Sequence, residues 1–294
     1  MVDGIGQIDI RGIDIDKLAR GFADEIIGLD VLMAESKTSA REMRWYQKTA
    51  GFFNAPTTTG MTTNLGENTD FGSRPAVVQN SFTRQTSYVR KYFVESEWIP
   101  VEDIADNDPD VVGHITKDLV RGILQRKNLR IWNILSENIT PVNINEEAIT
   151  NEWDDYANAT PISDLTNAKA KIRAYGYNPE GATLLLNDNG HKYLLNWIVA
   201  TKGSNMPTLS SSIAVGGRVT EFCGLNIMVD VNVTADYGMI VIPKTAGTWK
   251  TFAPLTTAKL YDEGIGYKIR AWIEGEGILH DPKAVCLLSN VGPS

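Results

Sequence analysis

Residues 81–99 read SFTRQTSYVRKYFVESEWI, and within ten residues they are followed by DPDVVGHITKDLVRGILQRKNLRIWNILSEN at 108–138. The first stretch alternates with period two. Phe82, Arg84, Thr86, Tyr88, Arg90, Tyr92, Val94 and Trp98 share one face; Thr83, Gln85, Val89, Lys91, Phe93, Glu95 and Ile99 share the other. Such a strand would reach roughly 60 Å at about 3.3 Å per residue. A compact globule of this length has a radius of gyration near ~19 Å, so the strand outreaches its own body. Both faces mix aromatics with charges, which fits neither a core face nor a water face. A ribbon adhesive on both sides implies contact with other subunits, and the chain reads as a component of an assembly.

The second stretch predicts a long helix. Asp108 serves as N-cap and Pro109 as the first helical residue. Val112, Ile115, Leu119, Ile123, Ile131, Ile134 and Leu135 carry the periodicity on to about Asn138. At 1.5 Å per residue this is roughly 45 Å of helix. Asp103, Asp106, Asp108 and Asp110 lack the order of a calcium loop and favour the helix N-terminus through its dipole.

Outward from these two elements, the 294 residues suffice for two modest domains with real cores. The hydrophobic fraction of 43% and charged fraction of 22% are those of an ordinary soluble protein. The net charge is -8 and no run of five cations occurs, which counts against a dedicated DNA-binding protein but not against a container in weak contact with DNA. No stretch approaches the roughly 18 apolar residues of a membrane span. The N-terminus lacks the cationic and apolar segments of a signal peptide. Cys223 and Cys286, the two cysteines, read as buried free thiols.

Residues 15–33 place Leu18, Phe22, Ile26, Leu29 and Leu32 at helical spacing behind a possible cap, Asp14. Residues 34–54 read as an arm crossing a surface, anchored by Trp45, Tyr46, Phe52 and Phe53. Residues 56–75, rich in Thr, Gly and Asn, read as the outgoing half of a long hairpin whose return strand is 81–99. An isolated hairpin is only marginally stable, so it needs a partner surface. Farther on, a helix capped by Ser163 runs to Tyr175, and 182–186 is a short buried strand. A helix occupies 187–200, and 201–217 is a polar loop. Strands 225–233 and 238–243 are joined by a turn at Asp236. A segment at 251–261 and a strand at 266–273 follow, and 278–288 closes the chain. The class is α+β with interleaved pieces.

No chemical motif emerges. His114, His191 and His280 lack partners at metal-ligand spacing and read as surface or packing residues. The Gly-rich points 216–217, 264–266 and 275–277 lack phosphate-loop and dinucleotide fingerprints. Glu274 and Glu276, two apart on an extended segment, read as a solvated edge, with a cation site as the alternative. Neither an enzyme nor a cofactor is expected.

The order of elements resembles the major capsid proteins of tailed viruses, with the fold first seen in the Hong Kong phage and shared with encapsulin shells. The resemblance lies in the arm, the hairpin, Glu97-Trp98-Ile99-Pro100 and the spine helix at 108–138. It continues with Trp153-Asp154 before the helix at Ser163, Leu184-Leu185-Leu186-Asn187-Asp188, and Phe222-Cys223-Gly224-Leu225-Asn226-Ile227. Gly238-Met239-Ile240-Val241-Ile242, the strand at 267–273 and Asp281-Pro282-Lys283-Ala284-Val285 complete it. The resemblance implies an N-terminal arm at 1–55, an extended loop at 56–96 and a peripheral domain with the spine helix at 97–160. It further implies an axial domain at 161–250 and return strands of the peripheral domain at 251–294.

Under that resemblance Leu65, Arg74, Phe82, Arg84, Tyr88, Arg90 and Tyr92 contact a neighbouring subunit, with Arg84 and Arg90 pairing carboxylates across the interface. Lys202, Asn205, Ser211 and Arg218 mark the axial loop. The implied partners are further copies in hexameric and pentameric capsomers, portal and scaffolding or decoration proteins, and packaged double-stranded DNA held weakly, with no membrane. The implied place is the virion, after assembly in the host cytoplasm. Some family members cross-link through a lysine in the extended loop; residues 56–90 contain none, so non-covalent stabilisation is expected. A compartment shell holding a cargo enzyme is the alternative within the fold, and a soluble enzyme without a recognisable motif the alternative outside it.

Overall fold

The computed structural model describes residues 19–21, 28–49, 71–72, 82–100, 102, 109–201 and 219–293. One long helix, α1 (Pro109–Leu135), connects two sheets. The first sheet takes β1 (Ala34–Lys37), β4 (Arg90–Glu95), β5 (Ile99–Pro100), β11 (Gly247–Asp262) and β12 (Gly266–Leu279). Its order is β1-β11-β12-β4, with β5 also on β12. The second sheet takes β6 (Asn145–Ala148), β7 (Thr183–Leu186), β8 (Glu221–Phe222), β9 (Leu225–Val229), β10 (Tyr237–Val241) and β13 (Val285–Ser289), in the order β6-β13-β10-β7-β9-β8. A separate two-stranded ribbon pairs β2 (Glu42–Gln47) with β3 (Thr83–Tyr88).

The apolar spacing of α1 explains how it serves both sheets. Leu119 and Ile123 pack with Ile269, Ala271 and Ile273 of β12. Two turns on, Ile131, Trp132 and Leu135 enter a second cluster with Leu185, Met239, Val241 and Leu287 of the other sheet. Trp132 also donates its indole N–H to Thr234 Oγ1 at 3.0 Å. α2 (Pro161–Ala174) and α3 (Asp188–Asn196) cover the second sheet, burying Leu165, Ala168, Ile172 and Leu194 with Leu184, Leu186, Ile240 and Leu288. Every residue of β7 and of β13 is buried. Such runs are continuously apolar rather than alternating because both faces are covered.

The structure departs from the expected elements in several places. The strand at 81–99 is not continuous. It breaks at Val89, whose N–H bonds Arg41 O at 2.9 Å, and its two halves join different sheets. The break slips the alternation by one residue: Arg84, Thr86 and Tyr88 are exposed before it, Lys91 and Phe93 after it. Thr83–Tyr88 pairs with Glu42–Gln47, in the stretch read as an arm, while residues 56–75, read as the outgoing half of the hairpin, lie outside the described residues apart from 71–72. Residues 29–32 form a 3-10 turn rather than the end of an α-helix. α2 begins at Pro161 behind Thr160, ahead of Ser163. β9 and β10 are not neighbours, because β7 lies between them. The closing stretch is not one strand, since a 3-10 turn at Pro282–Ala284 separates β12 from β13. The expected caps Asp14 and Asp108, and the polar loop at 201–217 apart from Thr201, lie outside the described residues.

Candidate inter-subunit surface

The ribbon β2–β3 buries Met43 and Gln47 on one side but leaves large rings in water on the other. Tyr46 and Tyr88 are each 64% exposed, and Phe82, just before β3, is 54% exposed. Arg84 stands opposite Tyr46 and is also exposed. The ribbon coheres through Trp45 Nε1 bonded to Ser87 Oγ at 3.0 Å and through Gln85 and Gln47 at 3.4 Å. Three large aromatics held in water on so thin an element cost free energy unless a partner covers them.

At the base of the ribbon the chemistry changes. Arg90 was expected to reach across an interface. Its Nε lies 2.9 Å from Glu276 Oε2 of its own chain. Arg130 of α1 binds the other oxygen of the same carboxylate at 2.8 Å. Glu276 is 1% exposed, so the expectation of a solvated edge fails: β12 carries it inward beneath the helix. Tyr92 also turns inward, because the slip at Val89 places it with Trp249, ring centroids 6.3 Å apart. Burial and then the Glu276 charge push the Tyr92 phenol up to about 12. It therefore belongs to the packing between sheet and helix and not with Phe82, Arg84 and Tyr88.

The outward face of the first sheet carries a ladder of cations and rings. Lys91 Nζ lies 5.4 Å from the Phe93 ring centre and 5.0 Å from that of Trp272. Lys268 stands 4.9 Å over Trp98. Glu95 pairs with Lys268 and Arg270, whose hydrogen bonds hold its carboxyl below the usual range. A carboxyl depressed in the folded state stabilises the fold above its unfolded value of about 4.3, and that contribution is lost as pH falls through the folded value. We expect the urea midpoint of the wild-type subunit to drop more between about pH 5 and 3 than that of Glu95→Gln. Because the pair faces solvent the difference is small and shrinks with salt.

Of the other expected contact residues, Leu65 and Arg74 lie outside the described residues, as do Lys202, Asn205, Ser211 and Arg218 of the axial loop. Cys223 and Cys286 are free thiols, half-buried and buried, and burial pushes both thiols up. His114 is exposed on α1, while burial lowers the pKa of His191 and His280. Among the described residues no group of three His, Cys, Asp or Glu gathers as a metal site, and no helix is long and apolar enough to cross a membrane.

Two sheets joined by one spine helix, with a separate two-stranded ribbon, is an arrangement found among solved structures. Those that share it include two phage capsids and a virus-like particle. The capsid of the cyanophage P-SCSP1u superposes with a TM-score of 0.63 at 10% identity, covering 98% of this chain and 92% of its own. The mature capsid of bacteriophage PhiM1 gives 0.61 at 10% identity, covering 100% and 92%. The virus-like particle from Pyrococcus furiosus gives 0.59 at 11% identity, covering 94% and 98%. No curated protein sequence matches the chain. Residues 84–288 match the phage capsid protein family, and the chain belongs to that family. It is a structural subunit of a phage head shell, with its place in the virion capsid.

Proposed function

We propose that copies of this chain form hexameric and pentameric capsomers that close into an icosahedral shell around the double-stranded DNA of a tailed virus. Assembly takes place in the host cytoplasm, with portal and scaffolding or decoration proteins as partners. Residues 97–160 with α1, and the return strands at 251–294, form the peripheral domain, and residues 161–250 with α2 and α3 the axial domain, whose sheet also takes in β6 and β13. The chain acts mechanically and catalyses no reaction. One observation carries this reading: the ribbon leaves Tyr46, Phe82 and Tyr88 in water on an element that cannot stand alone. A neighbouring copy supplies the missing surface, and contacts of this head-to-tail kind close into rings. With no lysine at 56–90, the contact is held without covalent links.

The test is deletion of residues 57–75. The expected product is a folded subunit with a cooperative melt that forms no stable particles by negative-stain electron microscopy. Particles indistinguishable from wild type would remove the loop from assembly. A compartment shell with protein cargo is separated by content, since that reading requires small particles filled with protein rather than DNA.

A further inference from the structure

Between the edge strand β4 and α1 lies a cavity of about 220 Å³ lined by Arg90, Tyr92, Arg126, Leu129, Arg130 and Asn133. It adjoins a second cavity of about 350 Å³, walled by Lys91, Tyr92, Phe93, Val94, Gly122 and Ile123 and sharing Arg126. Arg90 and Arg130 hold the Glu276 carboxylate, and Arg126 lines the same cavity one turn earlier on α1. Arg126 has no ion pair among the described residues, and the Arg90 side chain is 59% exposed. Glu276 Oε2 has no well-aligned hydrogen bond despite its closeness to Arg90. The site is a pocket with one arginine beyond its ion pairs, beside a second cavity whose apolar wall is edged by Lys91, in a chain whose net charge is -8.

The tip of the β11–β12 hairpin is its complement. Residues 261–265, Tyr-Asp-Glu-Gly-Ile, are five consecutive exposed positions, turned by Gly264 at φ 78°. Asp262 and Glu263 have no ion pair among the described residues, and they are flanked by Tyr261 at 55% and Ile265 at 48% exposure. Two acids between the Tyr261 ring, which packs on Tyr267 at 4.9 Å between centroids, and the exposed Ile265 match an arginine pocket beside a cavity with an apolar wall. The tip cannot serve its own pocket. β12 pairs with β4 from Arg270 to Gly275, and the tip lies beyond the Arg270 end while Glu276 lies beyond the other. We propose that the Arg90–Arg126–Arg130 pocket receives the Asp262–Glu263 tip of a second copy. The inference deepens the assembly reading and rests on it. A charge pair of this kind fixes register and partner choice more than total affinity.

The experiment compares particle yield of the full chain at matched subunit concentration, by light scattering and negative-stain microscopy. Urea midpoints for each subunit confirm folding. Arg126→Glu, and separately the pair Asp262→Arg with Glu263→Arg, are expected to lower yield about tenfold or more, because each 1.4 kcal/mol of lost contact is a factor of ten. Joining all three substitutions is expected to restore particles. Wild-type yield from Arg126→Glu overturns the pocket, and failure of the combined variant to recover overturns the hairpin tip as its occupant. Normal particles from Arg126→Glu that retain less nucleic acid also overturn it, in favour of a phosphate contact. If the wild-type chain itself forms no particles, the assembly reading fails and not this pairing alone.

Discussion

Trp132→Ala is expected to destabilise the isolated subunit by about 4 kcal/mol, the range for removing a fully buried large aromatic without collapse of the site. Trp132 is 1% exposed and sits where α1 leaves the first sheet and enters the core of the second, among Met239, Val241 and Leu287. Its removal opens a cavity at the joint between the two sheets and leaves the Thr234 hydroxyl without its donor. The measurement is urea unfolding, with the midpoint falling at nearly constant slope. Phe at this position restores most of the volume but not the N–H donor, so Trp132→Phe is expected to cost only about 1–2 kcal/mol. Equal losses from the two variants would mean that packing volume is not what joins the sheets.

The second large effect concerns the buried carboxylate. Arg130→Met is expected to cost about 3 kcal/mol, because it strips a buried charge of its better-aligned partner. Glu276→Gln should cost less, about 1 kcal/mol. The groups it leaves behind, Arg130 and Arg90, are 29% and 59% exposed and regain water, whereas Glu276 at 2% side-chain exposure cannot. The asymmetry is the informative quantity. A Glu276→Gln variant less stable than Arg130→Met would show that Glu276 matters by position and not through its charge. Urea midpoints of the two variants and of the double substitution decide it, the double being less damaging than the two losses added.

Much of the fold could be read from the residues because some elements carry local signals. Asp108-Pro109 and the spacing from Val112 to Leu135 announce α1 without help from the rest of the chain. Leu184, Leu185 and Leu186 announce a strand buried on both faces. The break at Val89 had no such signal. When both faces of a strand mix aromatics with charges, a slip of one residue leaves the pattern unchanged. The partner strand Glu42–Gln47 was hidden for the same reason, being short, polar at both ends and aromatic in the middle. Insertion of β7 between β9 and β10 depends on pairing across distant stretches, which a turn at Asp236 does not reveal.

The site was less legible than the fold. Glu276 looked solvated because its partners, Arg90 and Arg130, lie far away in sequence. A signal was present in Gly275 and Gly277. A Cβ at the first would meet the Trp249 indole nitrogen at 2.9 Å, and at the second Ile134 Cδ1 at 2.8 Å. Glycine on both sides of an acid within a strand marks close approach by another element, so that acid is covered rather than exposed. Arg126 gave no signal of its own, since one exposed arginine on a helix is ordinary. It gained meaning only when the topology set it beside Arg90 and Arg130.

The central claim is that this subunit is built to be completed by copies of itself. Negative-stain electron microscopy of the purified full chain, across salt and protein concentration, tests it most directly. The account predicts closed, roughly spherical particles of uniform size. A monodisperse monomer under every condition would contradict it.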